Sequence, residues 1–224
     1  MKTSVPTDSE VSRALWSAYR PAPPPQRLLA ALRPFICPLG PILSKMDNAE
    51  RVLDIGCGNG VFLTTLSRYQ RIESGWGIDV NPTAVECAAM VAKSNSLPLT
   101  FSCATSFERW PAERFDTVSM VDVMHHLPLE LRRQFVHEAL ARVKPDGNFL
   151  FKDMCSRPRW RVAWNALHDL ILARQWVSVE PIANVIAWAR EAGFEPVHTD
   201  SYVAAAVYGH ELVIFRRTSI RVMH

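Results

Sequence analysis

The sequence predicts an α/β fold: a seven-stranded, mostly parallel sheet with helices on both faces and an antiparallel hairpin at its C-terminal edge. From Arg51 onward, short apolar runs alternate with amphipathic stretches, as strands and helices do in such folds. The strand-like runs are apolar throughout, which is expected of strands buried on both faces. The last two runs, at about 195–203 and 211–217, are separated by a short linker, and this spacing favours the edge hairpin.

The parallel strands are expected at five segments, in chain order RVLDIG, GWGIDV, LTFSC, FDTVSMV and NFLFKD. Helices are expected between them at about 61–69, from Asn81 onward, and at about 129–143. Asn81 is the expected N-cap of the second helix. Pro82 suits the first helical position, because the backbone N–H that proline lacks makes no intrahelical bond there.

The first fifty residues do not share this alternation. A helix is expected over about 8–20, with Asp8 or Ser9 as its cap, and another over about 26–32. A cluster of prolines separates the two and is typical of a stiff, extended connector. We therefore interpret residues 1–50 as an N-terminal helical collar or lid.

The main domain is expected to span residues 51–224, and residues 154–192 depart from its strand–helix alternation. We predict that these residues form a helical insertion over the substrate. Within it, residues 157–169 carry arginines, and Trp160, Trp164 and His168 recur at helical spacing. They either line an acceptor pocket or form an amphipathic helix that packs on the rest of the domain.

Composition excludes several classes of protein. The chain has 224 residues, 48% of them hydrophobic and 21% charged, with a net charge of +3, which is typical of an ordinary globule. Without long Lys/Arg runs, the sequence does not favour a nucleic-acid partner. Five cysteines without a CxxC pair indicate neither a disulfide framework nor a metal site. The absence of a signal peptide and of an apolar run of about 18 residues predicts a cytoplasmic protein without a membrane span.

The most informative segment is VLDIGCGNG, in which a buried strand delivers Asp54 and then three alternate glycines before a helix begins. Glycines permit a sharp turn and a close approach of backbone to a ligand at the carboxyl end of a strand. Asp79 ends the next strand, where a carboxylate can accept hydrogen bonds from both hydroxyls of a ribose. A carboxylate at position 54 would repel a pyrophosphate but suits a ligand that carries an amino group.

From about Val52 to Asp153 the chain resembles class I S-adenosylmethionine-dependent methyltransferases, in particular the ubiquinone-type and small-molecule group. The resemblance implies a Rossmann-like fold with S-adenosylmethionine as cofactor. By position, it implies that the glycine motif holds the amino-acid moiety, that Asp79 binds the ribose, and that Val80 lies against adenine. It also implies that Val121 offers its backbone carbonyl to the amino group of the cofactor. The cofactor-binding residues expected on this basis are Asp54, Gly56, Cys57, Gly58, Gly60, Asp79, Val80, Thr105, Ser106 and Val121.

Thr105 and Ser106 stand at the one position where the chain departs from the family. After the third strand the family usually places an aspartate that accepts a hydrogen bond from the adenine amino group. Here the segment is CATSF, so a threonine or serine hydroxyl, or a backbone carbonyl, is expected in its place.

The segment DVMHHLP follows the fourth strand and carries the candidate catalytic residues. On a helical turn His125 and His126 lie three and four residues after Asp122, so either imidazole can reach the side of the aspartate. A carboxylate that fixes the tautomer of an imidazole leaves the second nitrogen able to accept a proton from a hydroxyl. We expect one of the two histidines, preferably His126, to be a general base; the alternative is that the three residues cap the turn or close the cofactor site.

The predicted function is transfer of a methyl group from S-adenosylmethionine to a small or medium-sized, rather apolar metabolite, on oxygen. Two alternatives stay open: methylation of a macromolecule such as tRNA or protein, and a non-catalytic module that binds S-adenosylmethionine. No metal is expected to take part. The sequence determines neither the acceptor nor the oligomeric state.

Overall fold

The computed structural model describes residues 5–46, 49–155, 178–204 and 208–218. These residues cluster into two compact units that divide after Trp110. Residues 156–177, the greater part of the helical insertion predicted at 154–192, lie outside the described ranges. No helix within the described ranges is long and apolar enough to cross a membrane.

The first unit contains five helices and three strands. In chain order they are α1 (Asp8–Ala18), α2 (Pro24–Ile36), α3 (Gly40–Leu43), β1 (Ala49–Ile55), α4 (Val61–Arg68), β2 (Ile72–Asp79), α5 (Pro82–Ser94) and β3 (Leu99–Cys103). A 3₁₀ turn (Phe107–Arg109) follows β3. Strand β2 pairs in parallel with β1 on one side and with β3 on the other, in a register that sets Asp54 opposite Gly77.

Helix α1 begins at Asp8, as predicted, but its cap is Thr7 and not Asp8 or Ser9. The Thr7 hydroxyl accepts a hydrogen bond from the backbone N–H of Glu10 (3.3 Å), and the Glu10 carboxylate accepts one from the Thr7 N–H (2.8 Å). This reciprocal pair is a capping box. The predicted cap of α5 is confirmed: the Asn81 side chain accepts from the N–H of Ala84 at 3.2 Å.

Helix α2 is longer than the predicted stretch at about 26–32. Pro24 and Pro25 occupy its first turn, where a missing N–H removes no intrahelical bond. Pro34 lies inside the helix and is buried together with Ala30 and Ala31. The proline cluster therefore connects α1 to α2 and also forms the first turn of α2.

The described residues of the second unit form four strands and two helices. In chain order they are β4 (Phe115–Val121), a 3₁₀ turn (Met124–His126), α6 (Leu129–Ala141), β5 (Val143–Met154), α7 (Ile182–Glu191), β6 (Phe194–Ala204) and β7 (Tyr208–Arg217). Strand β5 pairs in parallel with β4 and antiparallel with β7. Phe149 of β5 and Phe215 of β7 stack with ring centroids 5.8 Å apart, within a fully buried cluster that also includes Phe151.

The strands form one seven-stranded sheet in the order β3-β2-β1-β4-β5-β7-β6. The predicted fold class is thereby confirmed, including the antiparallel C-terminal hairpin at the sheet edge. Because β7 lies between β5 and β6, the chain crosses to the outer strand first and returns to pair with β5. The carboxyl ends of β1 and β2 carry Asp54 and Asp79, and those of β4 and β5 carry Asp122 and Asp153.

Candidate functional site

In the first unit, the turn between β1 and α4 is a loop of left-handed glycines. Gly56, Gly58 and Gly60 have φ values of 73°, 51° and 77°. The N–H groups of Gly56 and Cys57 both donate to the carbonyl of Ile78, at 2.8 and 3.0 Å, so the loop is anchored on β2 as it leaves β1. The alternate glycines predicted to form a sharp turn therefore do so.

Gly60 and Gly58 serve the loop in different ways. A Cβ atom on Gly60 would lie 2.8 Å from the Phe101 ring and 2.9 Å from the Ala88 methyl, so this glycine permits close packing of α4 on the sheet. A Cβ atom on Gly58 would meet nothing within 4 Å. The backbone of Gly58 thus borders open space, as a loop that receives a ligand must.

Asp79 is the residue that connects the loop to the end of β2. One carboxylate oxygen accepts a hydrogen bond from the N–H of Gly58 and the other from the N–H of Asn81, each at 2.8 Å. Each oxygen of an ionised carboxylate has a second lone pair, so both retain capacity for a further donor. The predicted ribose-binding residue therefore has a fixed orientation with two oxygens able to accept from neighbouring hydroxyls.

Asp54 lies near the end of β1 and is buried, with 2% of its surface exposed. Its charge and that of Asp79 both act on the thiol of Cys57, which lies between the glycines. Burial raises the pKa of Cys57 well above its ordinary value, and the two carboxylates raise it further. Asp54 and Asp79, which are predicted to bind opposite ends of one ligand, thus both act electrostatically on the same thiol of the glycine loop.

The residues predicted to contact adenine are Val80, Thr105 and Ser106, and they differ in how well they suit that role. Val80 is 63% exposed, an unusual position for a valine next to a buried strand end, and it offers an apolar surface to a ring. Thr105 and Ser106 are also exposed. The Ser106 side chain hydrogen-bonds to Glu108 and lowers the pKa of that carboxyl group. Of the two hydroxyls, that of Ser106 is therefore already engaged within its own turn.

These features fit the cofactor expected from the sequence. The open side of Gly58, the two acceptor oxygens of Asp79 and the exposed face of Val80 suit the hydroxyls and ring of a nucleoside. The buried carboxylate of Asp54 suits a cationic amino group, which would offset its charge. Within the described residues, no three His, Cys, Asp or Glu side chains are grouped as a metal ion would require.

In the second unit, the ends of β4 and β5 carry two pairs of charged groups. The ammonium of Lys152 donates to the Asp122 carboxylate at 2.7 Å, and the Lys152 side chain is fully buried. Asp122 itself has φ 56°, a left-handed conformation that is uncommon outside glycine. Its N–H donates to the Lys152 carbonyl at 2.8 Å, which continues the strand pairing one residue beyond Val121.

His125 takes its carboxylate partner from β5 and not from the nearby Asp122. Its Nδ1 atom lies 2.5 Å from one Asp153 oxygen, and its backbone N–H donates to the other at 3.3 Å. Asp153 also accepts from the N–H of Met154 at 2.7 Å. Because an ionised carboxylate can only accept, this contact places a proton on Nδ1, and in the neutral form of the ring Nε2 is then the acceptor.

The two adjacent histidines differ in their surroundings. His125 is buried, with 6% exposure, whereas His126 is exposed. The two rings lie 4.1 Å apart between centroids at an angle of 50°. Helical spacing allowed either histidine to be the base, with His126 preferred; the Asp153 contact instead distinguishes His125.

Two relationships could not have been found from local spacing. Asp153 is separated from His125 by 28 residues, and the only sequence signal was an adjacent Lys-Asp pair at the end of the fifth predicted strand. Tyr19, whose hydroxyl donates to the Asn59 carbonyl of the glycine loop, carried no signal at all. The candidate acceptor-pocket residues between 157 and 169 lie outside the described residues.

Comparison with known proteins gives consistent results. The sequence profile of a family described as methyltransferase domain matches residues 19–199. The ubiquinone biosynthesis O-methyltransferase of Coxiella burnetii is 26% identical over 103 residues, which cover 46% of this chain and 42% of the relative. The enzyme of the same name from Rhodopseudomonas palustris is 35% identical over 99 residues, 43% of this chain and 37% of the relative. The chain thus spans less than half the length of these curated relatives.

Among solved structures, the magnesium protoporphyrin IX methyltransferase of Synechocystis PCC 6803 was determined with S-adenosylhomocysteine (SAH) bound. It superimposes with a TM-score of 0.64 at 16% identity, covering 94% of this chain and 86% of that chain. At this identity the likeness concerns the fold, and it extends over nearly all of the present chain.

Proposed function

The chain belongs to the methyltransferase-domain family, and we propose that it transfers the methyl group of S-adenosylmethionine to the oxygen of a small or medium-sized, rather apolar metabolite. The observation that carries the proposal is the glycine loop itself. Its Gly58 N–H is held by Asp79 while the space beside Gly58 is open. A loop that only turned the chain would need neither the carboxylate nor the opening.

When bound, S-adenosylmethionine supplies an electrophilic methyl carbon on a sulfonium sulfur. In this proposal Asp54 binds the amino group of its methionine end, Asp79 binds the ribose hydroxyls, and Val80 packs against adenine. The backbone carbonyl of Val121 accepts from the amino group as well. The adenine amino group is met by the hydroxyl of Thr105 or Ser106 or by a backbone carbonyl of their segment, since the Ser106 hydroxyl that donates to Glu108 keeps lone pairs that can accept.

Oxygen as the accepting atom is supported by the pairing of His125 with Asp153. A hydroxyl becomes a good nucleophile only as it loses its proton, and an imidazole held with Nε2 as acceptor is suited to remove it. In this proposal the methyl group that the bound cofactor would supply goes to the acceptor oxygen, its sulfur would keep the electrons of the broken C–S bond, and His125 would accept the hydroxyl proton at Nε2. Asp122 is less suited to this role, because Lys152 neutralises its carboxylate.

An apolar acceptor of modest size is supported by the curated relatives, which are named as O-methyltransferases of ubiquinone biosynthesis. The net charge of +3 gives no strong field for a nucleic acid. The proposal therefore places the acceptor among hydroxylated small molecules with an apolar portion. A cytoplasmic location accompanies it as part of the same proposal.

Binding and transfer test the proposal in two stages. Isothermal titration calorimetry should detect SAH binding, with NAD as the negative control. Radiolabelled S-adenosylmethionine should then label alkyl-substituted phenols in preference to anilines and thiols that carry the same alkyl chain. Label confined to anilines or thiols would contradict transfer to oxygen, and label confined to a tRNA or protein fraction would contradict a small acceptor. SAH binding without transfer in any arm would instead support a non-catalytic binding module.

A further inference from the structure

The N-terminal helix α1 ends directly against the glycine loop. Tyr19, the residue that follows α1, is fully buried, and its hydroxyl donates to the carbonyl of Asn59 at 2.7 Å. Asn59 lies between Gly58 and Gly60, within the GxGxG segment. A side chain 40 residues away in the chain thus bonds the centre of the cofactor loop.

The same end of α1 is bonded a second time. The side-chain amide of Asn95, at the C-cap of α5, donates to the carbonyl of Ala18 and to that of Val91, each at 2.8 Å. Helix α5 begins three residues after Asp79. The last turn of α1 is therefore connected both to the loop after β1 and to the helix after β2.

The bond from Tyr19 determines the orientation of one peptide group. In a planar trans peptide the carbonyl and the following N–H point in opposite directions. Tyr19 draws the Asn59 carbonyl toward α1, so the N–H of Gly60 points the other way, where it donates to the Cys57 carbonyl at 2.9 Å. Gly60 has no Cβ to restrict its backbone, so the orientation of this peptide depends on its hydrogen bonds, and Tyr19 supplies the one to the carbonyl.

Burial also keeps the Tyr19 hydroxyl protonated, so that it remains a hydrogen-bond donor. It raises the pKa of Tyr19 far above its ordinary value, so the hydroxyl stays protonated over the whole range in which the protein functions. A buried donor needs an acceptor, and the Asn59 carbonyl supplies it through a partly buried bond; without that carbonyl the phenol would be left desolvated.

We propose that Tyr19 is a positioning residue for the cofactor: through its bond to the Asn59 carbonyl, the end of α1 holds the glycine loop in the conformation that binds S-adenosylmethionine. The inference rests on the proposed function. It assigns part of the N-terminal region to the cofactor site, in addition to the collar or lid that the sequence suggested for residues 1–50. Tyr19 acts through the loop and takes no part in the chemistry.

The test compares Tyr19→Phe with the matched control Asn95→Ala. The first removes the bond to the loop and keeps the ring; the second removes a bond to the same turn of α1 and leaves the loop bond intact. Tyr19→Phe should raise the Kd for SAH about three- to tenfold, the equivalent of one net hydrogen bond. It should raise KM for S-adenosylmethionine similarly, with kcat unchanged at saturation. Asn95→Ala should leave both constants near the wild-type values, even if thermal denaturation shows an equal loss of stability.

Two outcomes overturn the inference alone: wild-type affinity for SAH in Tyr19→Phe, or an equal weakening of affinity in Asn95→Ala. Failure of the wild-type protein to bind SAH would overturn the proposed function together with the inference. A measurement on the wild type covers the case in which Tyr19→Phe does not fold. SAH should slow amide hydrogen exchange at Tyr19 and Ala22 as well as in the glycine loop, because coupling between two sites is reciprocal. Unchanged exchange at these two amides would contradict the proposed coupling.

Discussion

His125 and Asp153 form a buried imidazole–carboxylate pair across the ends of two neighbouring strands, with Nδ1 and Oδ1 2.5 Å apart. The backbone N–H of His125 bonds the second oxygen of the same carboxylate, so the imidazole and its peptide are held by one side chain. This arrangement specifies which ring nitrogen carries the proton. It is therefore the strongest geometric support in the second unit for a proton-accepting role.

If His125 is the base, its removal should affect turnover and spare the cofactor. We expect His125→Asn to lower kcat by about 10²- to 10⁴-fold, the usual contribution of a general base. Asp153→Asn should lower kcat in the same direction, because the amide no longer selects the Nδ1–H tautomer. The Kd for SAH, measured by calorimetry, should change less than threefold or so in both variants, about 0.6 kcal/mol or less.

His126→Asn is the matched control, since it alters the neighbouring ring that is exposed. It should retain kcat within a few-fold of the wild type. Full activity in His125→Asn would remove the base from the proposal. Loss of activity in His126→Asn alone would instead support His126, the base preferred from the sequence.

The helices and strands were predictable because their signal is local. Runs such as VLDIG and FLFKD begin with consecutive apolar residues, as strands buried on both faces do, and Asn81-Pro82 is a helix start in itself. The glycine motif was predictable for the same reason, since its turn is made by consecutive residues. The cap of α1 was misplaced by one or two residues, because several polar residues in a row can each cap a helix.

The polar pairings were not predictable, because they join residues that only the fold brings together. Helical spacing associated Asp122 with the two histidines, but Asp122 has a left-handed backbone and bonds Lys152 of the adjacent strand. The bond from Tyr19 to Asn59 likewise crosses 40 residues of sequence. Such contacts depend on sheet order and on the path of α1, and neither is encoded in the spacing of the residues concerned.

The last two glycines of the loop allow fold and binding to be separated. Gly60→Ala would place a methyl group 2.8 Å from the Phe101 ring as well as straining a positive φ, so urea denaturation should show a clear loss of stability. Gly58→Ala meets open space and should lose only about 1–2 kcal/mol from its backbone conformation.

Gly58→Ala should nevertheless weaken SAH binding by more than tenfold, because the new methyl group would occupy the space that the ligand requires. Calorimetry on the folded variant measures this directly. Normal SAH affinity in Gly58→Ala would show that the open side of the loop is not where the cofactor lies.

Stability should fall at alkaline pH because two acids of the first unit are buried in their neutral forms. Burial raises the pKa of both Tyr19 and Cys57 in the folded protein. Above their ordinary values, about 10 for tyrosine and about 8.5 for cysteine, the unfolded chain loses these protons while the folded chain keeps them. The unfolded state then binds fewer protons, so the free energy of unfolding falls as pH rises, and is fully retained below those values.

Each group should contribute a slope of about 1.4 kcal/mol per pH unit above its ordinary pKa. Urea denaturation from pH 8 to pH 11 measures the total. Cys57→Ala should reduce the slope from about pH 8.5 upward, and Tyr19→Phe only from about pH 10 upward. A slope that neither substitution changes would mean that other groups cause the alkaline loss.

The Lys152–Asp122 ion pair should contribute more to the free energy of unfolding than an exposed ion pair does, because both side chains are buried. The Lys152 side chain has 0% exposure and that of Asp122 9%, so water cannot replace either partner. Removal of one member of a buried pair leaves the other charge desolvated, at a cost of about 3–5 kcal/mol. We expect Lys152→Met to lower the free energy of unfolding by this amount, whereas Arg133→Met, which breaks the exposed pair with Glu191, should change it by about 1 kcal/mol or less.

The double variant Lys152→Met/Asp122→Asn distinguishes an uncompensated charge from lost packing. Asparagine keeps the shape of Asp122 and tolerates its left-handed backbone, but it carries no charge. If the buried carboxylate causes the loss, the double variant should be more stable than Lys152→Met alone, as urea denaturation of both will show. If the two are equally unstable, the methylene chain and hydrogen bonds of Lys152 stabilise the end of β5 independently of Asp122, and the pair is not an energetic unit.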